Sequence, residues 1–415
     1  MIELLCSRFG IDGVLREAAT RAYELAAGVR YDAQTRVKAN VMQAFFDEGV
    51  VESDFAGSTG YGYDDAARTR YESLLARIFG TEGALARLAI VSGTHAIVTA
   101  IAACVPPGKT LLSITGRPYD TLRNAISQHR EALTTTGIGY REVDLADRTF
   151  DLAAIARELE REDLGAAFVQ RSRGYAPRPS MPIDACKRAF ALIKSRRPQL
   201  PILVDNCYGE LVEEREPTHV GADLVMGSLI KNLGGSIAPA GGYIAGRSDL
   251  LERVATRLYA PGLGAALGPT LGLGRQFMQG LFLAPLVVEQ SLRGLDFAAA
   301  LFAELGFAVD PQPGVPRTDI VQAIRLGDAR LLQAFALGLQ TAMPVNARFR
   351  PEPGPVPGYV DPVIMSGGAF IGGATIELSC DAPLREPFEV YLQGGVIAEH
   401  AMVGALRAAQ AVLKN

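Results

Sequence analysis

The middle of the chain, from about Leu85 to Gly246, alternates short apolar segments with amphipathic helical segments. The apolar segments are bounded by Gly, Pro or Asp and predict strands; in chain order they are LLSIT, AAFVQ, PILVD, ADLVMG and GYIAG. Helical segments such as DLAAIARELERE and DACKRAFALIKSR separate them. Strands connected by helices form a mostly parallel sheet with helices on both faces, so we expect an α/β fold.

The parts of the chain before and after this middle region do not show the alternation of strands and helices. The 415 residues therefore fall into three regions. We expect residues 1–55 to form an N-terminal helical arm, residues 56–290 a large α/β/α domain, and residues 291–415 a smaller C-terminal α+β domain. A glycine-rich segment from Tyr259 to Gly280 predicts a loop followed by a helix. The smaller domain contains a Pro/Gly-rich insertion, PEPGPVPGY, from Pro351.

Composition and charge exclude several classes of protein. The formal net charge of −4, with scattered basic residues, offers no basic surface for nucleic acid. The five cysteines lie far apart without a CxxC motif, which indicates neither a disulfide framework nor a zinc site. The first residues lack the pattern of a signal peptide, and the most apolar stretch, FMQGLFLAPLVV, is shorter than a membrane span of roughly 18–20 residues. We therefore expect a cytoplasmic protein without a nucleic-acid or membrane partner.

One segment, ACVPPGKT at residues 103–110, matches a loose form of the nucleotide-binding phosphate loop. It follows a helical run and precedes a strand, whereas a phosphate loop follows a strand and opens a helix. Its two prolines also remove backbone donors that a phosphate needs. We interpret it as a helix-to-strand turn. The four histidines show no metal-binding spacing and GxSxG is absent, so we expect neither a metal site nor a serine hydrolase.

Only six of the 41 basic residues are lysines, and one of them follows an apolar strand. Lys231 comes shortly after ADLVMG, and Asp205 ends PILVD. The carboxyl ends of parallel strands meet at one edge of a sheet, so the two side chains can converge on one crevice. A lysine that forms a Schiff base and a carboxylate that keeps a pyridine nitrogen protonated are the essentials of a pyridoxal phosphate site. A buried Asp–Lys ion pair is the alternative.

Other residues favour the cofactor site over the ion pair. Ser92, Gly93 and Thr94 begin an apolar helix, where unpaired N–H groups and a partial positive charge can hold a phosphate. Ser228, three residues before the lysine, offers a further hydroxyl. Tyr119, after the strand LLSIT, is placed to stack on a flat ring. Each residue also has a structural explanation: a helix cap for the hydroxyls and a half-buried position for the tyrosine.

The sequence resembles the fold-type I pyridoxal phosphate enzymes of the cystathionine and methionine γ-lyase group. It is most similar to the branch known as aluminium-resistance or methionine γ-lyase-like proteins. The resemblance covers essentially the whole chain and is carried, in this order, by GYGYDDAAR, VSGTHAI, GRPYDTL, QRSRGYAPRPS, VDNCYGE, GSLIKNLGGSIAPAGGYIAG, LYAPGLG, QGLFLAP and IELSCDAPLREP. It implies the fold of the pyridoxal phosphate-dependent transferases, with a large α/β/α domain and a smaller C-terminal domain.

The resemblance also implies roles for single residues. Lys231 matches the Schiff-base lysine, and Asp205 matches the partner of the pyridine nitrogen. Tyr119 matches the tyrosine that stacks on the ring and is suspected of giving a proton to the leaving group. The implied phosphate site consists of Ser92, Gly93, Thr94 and Ser228.

Tyr61 and Tyr63 fall in a segment that, in the γ-lyase group, reaches the cofactor phosphate of a neighbouring subunit. The match is loose, because the group has Tyr-x-Arg there, and Arg68 could instead supply the charge. The resemblance therefore implies a homodimer or homotetramer with shared active sites.

One position departs from the family pattern. The well-known γ-lyases have an arginine that binds the substrate carboxylate at the start of an RLSVG block, and this chain has Glu377 there. A carboxylate still needs a cationic partner, preferably a bidentate one. The candidates are Arg171 and Arg173, after the strand AAFVQ, and Arg385 in APLREP; each could instead be structural.

The resemblance implies a γ-lyase that acts on a small amino acid with a heteroatom leaving group on Cγ. The leaving group could be a thiol, as from methionine or homocysteine, or an oxygen-linked group, as from a homoserine derivative or canavanine. The products would be a 2-oxo acid and ammonia, or a Cγ-substituted amino acid. Because fold and cofactor do not fix the bond that breaks, β-elimination, aldol cleavage and transamination stay open. A noncatalytic binder is a more remote alternative.

Overall fold

The computed structural model describes residues 1–415 and contains twelve α-helices and fifteen strands. The helices are α1 Ile2–Arg8, α2 Gly13–Ala27, α3 Asp32–Glu48, α4 Ala66–Phe79, α5 Gly93–Cys104, α6 Asp120–Arg123, α7 Leu152–Glu158, α8 Ile183–Arg196, α9 Ser248–Leu258, α10 Gly274–Glu304, α11 Ala329–Gln340 and α12 Ala398–Leu413. The strands are β1 Gly83–Arg87, β2 Thr110–Ser113, β3 Gly139–Glu142, β4 Leu145–Ala146, β5 Thr149–Phe150, β6 Leu164–Gln170, β7 Ile202–Asp205, β8 Leu224–Ser228, β9 Gly242–Gly246, β10 Ala308–Asp310, β11 Val321–Arg325, β12 Pro353–Gly354, β13 Val363–Gly367, β14 Ser379–Pro383 and β15 Glu389–Gln393.

The predicted mostly parallel sheet is confirmed. Its seven strands have the order β1-β9-β8-β7-β6-β2-β3, and β9 alone runs antiparallel to its neighbours. Successive side chains of a strand point to opposite faces. Leu111 and Leu203 therefore pack into one core with α5 and α9, whereas Leu112 and Val204 pack into the other with α4, α8 and α10. Apolar residues on both faces explain the uninterrupted apolar runs in the sequence.

The C-terminal part forms a second, antiparallel sheet. Its six strands have the order β10-β11-β15-β14-β13-β12. Helix α11 packs on β13, β14 and α12, and α12 packs on α10. Helix α10 is 31 residues long and contacts helices of the N-terminal part as well as β10, β11 and α12. The boundary expected between residues 290 and 291 therefore lies inside a continuous helix, which joins the two sheets.

The N-terminal residues are helical, as predicted, but they pack closely on the rest of the chain. Helix α2 contacts α10 and α12, and α3 contacts α4 and α10. Leu15, Val37 and Val41 are buried in the larger core. The first 48 residues are therefore a helical layer on the rest of the chain.

Two further segments have the predicted structure. Helix α5 ends at Cys104 and β2 begins at Thr110, so ACVPPGKT is a helix-to-strand turn. The glycine-rich segment has no regular structure until α10 begins at Gly274. No helix combines the length and the apolar character that crossing a bilayer requires.

Candidate active site

A cavity of about 400 Å³ lies where the central strands of the large sheet end. This volume is in the range of sites for small ligands. Asp205 is the last residue of β7 and Ser228 the last of β8, so the sheet itself places both residues at the cavity. The lining consists of residues 91–94, Tyr119, Ser172, Gly174, Tyr175, Asp205, Cys207, Tyr208, Ser228, Ile230, Lys231, residues 239–241, Tyr359, Gly372 and Gly373.

The start of α5 forms one end of the cavity. Ser92 is the N-cap, and its hydroxyl accepts a hydrogen bond from the His95 N–H at 3.1 Å. A Cβ at Gly93 would lie 3.1 Å from the sulfur of Cys207, so glycine keeps this first turn clear. The hydroxyl of Ser228 belongs to the same wall. Hydroxyls around the open N-terminus of a 12-residue helix fit a phosphate group.

Lys231 is the only lysine that lines the cavity. Its amine donates a hydrogen bond to the Thr375 hydroxyl at 3.1 Å and lies 3.8 Å from the centre of the Tyr208 ring. Burial alone would lower the pKa of the amine, but the neighbouring Tyr208, Cys207 and Asp381 raise the pKa above its usual value. The position of this amine inside the cavity fits covalent attachment to an aldehyde, which the unprotonated amine makes.

Asp205 is a buried carboxyl in the wall of the cavity. Burial raises the pKa of Asp205 to about 6, although the Cys207 N–H donates a hydrogen bond to its Oδ1 at 3.1 Å. Lys231 and Arg178 act in the other direction and lower this pKa. A buried carboxyl that lacks a close cation is suited to bind a protonated ring nitrogen.

Hydrogen bonds connect the loop that follows Asp205 to the loop that carries Lys231. Asn232 donates hydrogen bonds to the backbone carbonyls of Tyr208 and Glu210, at 3.0 and 2.8 Å. Tyr208 has a φ of 72°, a left-handed conformation that is costly for a residue with a side chain. The strained loop after β7 is therefore fixed to the loop that carries Lys231.

Several side chains at the site were not predicted from the sequence. Tyr175 and Tyr359 line the cavity, with ring centres 5.2 Å apart, and Thr375 contacts the lysine. Tyr359 belongs to the Pro/Gly-rich insertion, and Thr375 to the loop before β14. Both come from the C-terminal part of the chain, and no local motif marks them as site residues.

A second cavity of about 290 Å³ adjoins the first, since Tyr119 and Tyr175 line both. Its lining is strongly charged, and it includes two of the three arginines predicted to bind a substrate carboxylate. The charged residues are Arg117, Asp120, Arg173, Arg385, Glu386 and Glu389. Tyr119 and Tyr175 are thus shared walls of the first cavity and this polar chamber.

The three arginines differ in their surroundings. Arg171 lines neither cavity; its fully buried guanidinium donates to Asn206, to the Gly209 carbonyl and to Glu213, which leaves it a structural role. Sequence could not reveal this, because the chain leaves β6 at Gln170 and turns Arg171 into the core.

Arg173 and Arg385 both face the second cavity. Arg173 is 2% exposed and pairs with Asp310 at 2.7 Å, while its buried Nε has no hydrogen-bond partner. Arg385 donates to two carboxylates and to the Tyr175 carbonyl. Arg173 therefore has the more available donors for a substrate anion.

Glu377, in the position of the family's arginine, points away from solvent and serves the backbone. Its carboxylate accepts hydrogen bonds from the N–H groups of Phe370 and Ile371, at 2.7 and 3.1 Å. It is 4% exposed and forms no ion pair. Glu377 is thus an anchor for the loop that begins at Phe370.

The segment around Tyr61 and Tyr63 lies at the surface of the chain. The two side chains are 73% and 56% exposed, and neither lines the cavity of its own chain. Arg68 is buried and donates to the carbonyls of Gly62, Tyr63 and Gly268, so it holds the segment and is not free to bind a phosphate.

Fold and site together define a fold-type I pyridoxal phosphate enzyme: a large sheet with one antiparallel strand, a smaller C-terminal sheet, and a lysine, a carboxyl and a helix N-terminus around one cavity. The family model for methionine γ-lyase matches residues 15–413. The chain belongs to the methionine γ-lyase family, and its cofactor is pyridoxal 5′-phosphate.

Known proteins are similar over nearly the whole chain. The uncharacterised protein YnbB of Bacillus subtilis is 44% identical over 365 residues, which is 87% of this chain and 86% of YnbB. A carbon-sulfur lyase involved in aluminium resistance from Clostridium novyi has a TM-score of 0.91 and 38% identity, with 98% of each chain covered. A protein from Clostridium acetobutylicum, provisionally named a cystathionine β-lyase involved in aluminium resistance, has a TM-score of 0.93 and 39% identity, with 99% of this chain and 98% of that chain covered. The protein is thus a pyridoxal phosphate-dependent lyase of the cystathionine and methionine lyase group.

Proposed function

We propose that this protein is a γ-lyase, which removes a heteroatom group from Cγ of an amino acid. With water, the substrate gives a 2-oxo acid, ammonia and the protonated leaving group. The observation that carries the proposal is the position of Lys231, the only amine in the cavity, between Asp205 and the open start of α5 in a chain of the methionine γ-lyase family.

Bound pyridoxal phosphate supplies an electron sink, which lowers the barrier to removal of the proton from Cα. Lys231 binds the cofactor and, once the substrate has displaced it, takes the Cα proton and moves a proton at Cβ. One base suffices for both positions because they are adjacent atoms. Its contacts with Thr375 and Tyr208 keep the free amine inside the cavity.

The other residues bind and orient. Asp205 holds the proton on the ring nitrogen, since its buried carboxylate is stabilised by that charge. The phosphate is held by Ser92, Gly93, Thr94 and Ser228. Tyr119 stacks on the ring and gives its phenolic proton to the heteroatom that leaves Cγ.

Arg173 binds the α-carboxylate of the substrate. The unpartnered Nε and the buried position of this guanidinium support the assignment over Arg385, whose guanidinium already donates three hydrogen bonds. The charged chamber beside Tyr119 leaves room for the leaving group. A thiol and an oxygen-linked group, such as those of methionine, homoserine esters or canavanine, are both candidates.

β-Elimination is the second candidate function. The provisional name of the Clostridium acetobutylicum relative supports it. It needs the same base and the same cofactor, but the leaving group departs from Cβ and the 2-oxo acid is pyruvate.

A substrate panel separates the two functions. Methionine, homocysteine, O-acetylhomoserine and canavanine should release ammonia and 2-oxobutanoate, and S-methylcysteine serves as the substrate with a group on Cβ only. Cystathionine has its sulfur on Cγ of one half and on Cβ of the other, so γ-elimination gives cysteine and 2-oxobutanoate, whereas β-elimination gives homocysteine and pyruvate. The Lys231→Ala variant is the control for background hydrolysis. Pyruvate from S-methylcysteine and cystathionine, with no 2-oxobutanoate from any substrate, would replace γ-elimination by β-elimination.

Two measurements test the attachment of the cofactor. The purified protein should be yellow, and borohydride reduction followed by peptide mapping should place the label on Lys231. Another labelled lysine would refute the assignment of Lys231.

We also propose a homodimer or homotetramer in which Tyr61 and Tyr63 reach the neighbour's cofactor phosphate. Their exposure and their absence from their own cavity support this. Light scattering should give at least twice the chain mass of 44.2 kDa, and a monomer with full activity would contradict the shared site.

A further inference from the structure

The loop of residues 370–375, which we name the 370–375 loop, depends on one carboxylate. Both oxygens of Glu377 accept hydrogen bonds from the loop: Oε2 from the Phe370 N–H at 2.7 Å and Oε1 from the Ile371 N–H at 3.1 Å. No lysine, arginine or histidine pairs with this buried charge. Hydrogen bonds to a charged acceptor are about twice as strong as neutral ones, so the anchor is firm.

Apolar packing does not replace this anchor at the start of the loop. The Phe370 side chain is 73% exposed, and Ile371 is only half-buried. The next two residues are glycines, which have no side chain to hold them in place. The end of the loop is held by the core, in which Ala374 is buried, whereas the Phe370 and Ile371 N–H groups at its start are held by Glu377.

The other side of the loop reaches the active-site cavity. Gly372 and Gly373 form part of its wall, and the Thr375 hydroxyl accepts the hydrogen bond from the Lys231 amine at 3.1 Å. Glu377 itself lines the opposite side, in a separate cavity with Phe370 and His400. Glu377 and Lys231 thus contact the same short loop from two sides.

We propose that Glu377 is a positioning residue that acts on Lys231 through Thr375: by fixing the 370–375 loop, it holds the hydroxyl that receives the amine whenever Lys231 is not attached to the cofactor. The inference rests on the proposed role of Lys231. It gives the residue in the place of the family's arginine a task in the reaction without contact with the substrate.

The test follows the amine directly. Full-length protein is freed of cofactor with hydroxylamine and dialysis, and the rate at which it regains pyridoxal phosphate is followed by absorbance across a pH series. Only the unprotonated amine attacks the aldehyde, so the profile reports the pKa of Lys231. The ionisable groups that face the amine, Asp205, Cys207, Tyr208 and Asp381, are the same in every variant.

Thr375→Val removes the acceptor of the ammonium hydrogen bond and should shift the profile to lower pH by about one unit. Thr375→Ser keeps the hydroxyl and should restore the wild-type profile. Glu377→Gln can accept only one of the two backbone hydrogen bonds and should shift the profile in the same direction. If it does not fold, Glu377→Asp, which keeps the charge on a shorter side chain, provides the comparison.

The decisive measurement is the double variant Thr375→Val/Glu377→Gln. If Glu377 acts through Thr375, the double variant should show the shift of Thr375→Val and no more. Additive shifts, or a Glu377 variant with the wild-type profile, would overturn the proposal. The assay reads cofactor attachment rather than elimination, so it is independent of the substrate and of the choice between γ- and β-elimination; borohydride mapping tests Lys231 separately.

Discussion

The hydroxyl of Tyr119 lies 2.7 Å from the hydroxyl of Thr94, in the first turn of α5. The Tyr119 N–H also donates to the Gln170 side chain at 2.8 Å, so backbone and phenol are both fixed. Burial and the nearby Asp205 raise the pKa of Tyr119 well above its usual value. The phenol therefore keeps its proton at neutral pH and can act as an acid.

Loss of this proton donor should slow elimination. Tyr119→Phe keeps the ring that stacks on the cofactor, so we expect cofactor binding to stay unchanged and kcat to fall by about 10²-fold. Steady-state kinetics and the absorbance of the bound cofactor measure the two effects. Tyr140→Phe, which removes a hydroxyl bonded to Glu142 outside the cavity, is the matched control. Unchanged kcat in Tyr119→Phe would assign the acid to another group.

Cofactor affinity should depend on the ionisation of Asp205. The pKa of about 6 means that the carboxyl becomes neutral as the pH falls below 6, and a neutral carboxyl does not attract the protonated ring nitrogen. Affinity should thus rise with pH up to about 6 and then level off, by about tenfold per unit at most. The cofactor phosphate titrates in the same range. The Asp205→Asn variant retains the part of the pH dependence that comes from the phosphate. If the affinity of this variant for the cofactor depends on pH as steeply as that of the wild-type protein, the pH dependence does not come from Asp205.

Substrate affinity should depend on the paired N–H donors of the Arg173 guanidinium. Arg173→Lys keeps the charge beside Asp310 but loses the bidentate geometry, so we expect KM to rise about 10- to 100-fold with a smaller change in kcat. Arg385→Lys is the matched control in the same cavity. A large KM effect in the control, with none in Arg173→Lys, would reverse the assignment.

The stability of the protein should fall as the pH rises from about 4 to about 8 because of Glu210. Burial raises the pKa of Glu210 to about 8; its Oε1 accepts from Tyr243 at 2.9 Å, and its Oε2 has no partner. The unfolded side chain has a pKa of about 4.3. The contribution of the neutral Glu210 carboxyl to the free energy of unfolding is therefore fully present below pH 4.3 and is lost as the pH rises through 8. The loss is at most about 1.4 kcal/mol per pH unit. Denaturant unfolding of Glu210→Gln should show a flatter dependence of stability on pH between about pH 5 and 8 than the wild-type protein. An equal slope in the two proteins would contradict this.

Sequence predicted the parts of the site that follow directly from the secondary structure. Asp205 and Ser228 end neighbouring strands, and Ser92 caps a helix, so local patterns alone bring them to one edge of the sheet. Thr375 and Tyr359 lie more than 125 residues after Lys231 and reach the cavity only because the second sheet docks there. Such long-range contacts leave no local signal.

The arginines show a second limit. Arg171 and Arg173 are two residues apart and have the same residue type, yet one is enclosed in the core and the other borders a cavity. The difference comes from the turn of the chain after β6 and from partners such as Glu213 and Asp310, which are distant in sequence. Sequence alone assigned no role to Glu377, and its backbone hydrogen bonds to Phe370 and Ile371 show one.

Helix α10, which joins the two sheets, restricts how the active site can open. A flexible linker would let the C-terminal sheet swing freely, but a continuous helix transmits rotation and resists bending. Pro285, in its middle, lacks the N–H that would complete the helical hydrogen bonds, so bending is easiest there. A tilt of the C-terminal sheet about Pro285 would therefore move Tyr359 and Thr375 together, as one body, relative to Lys231.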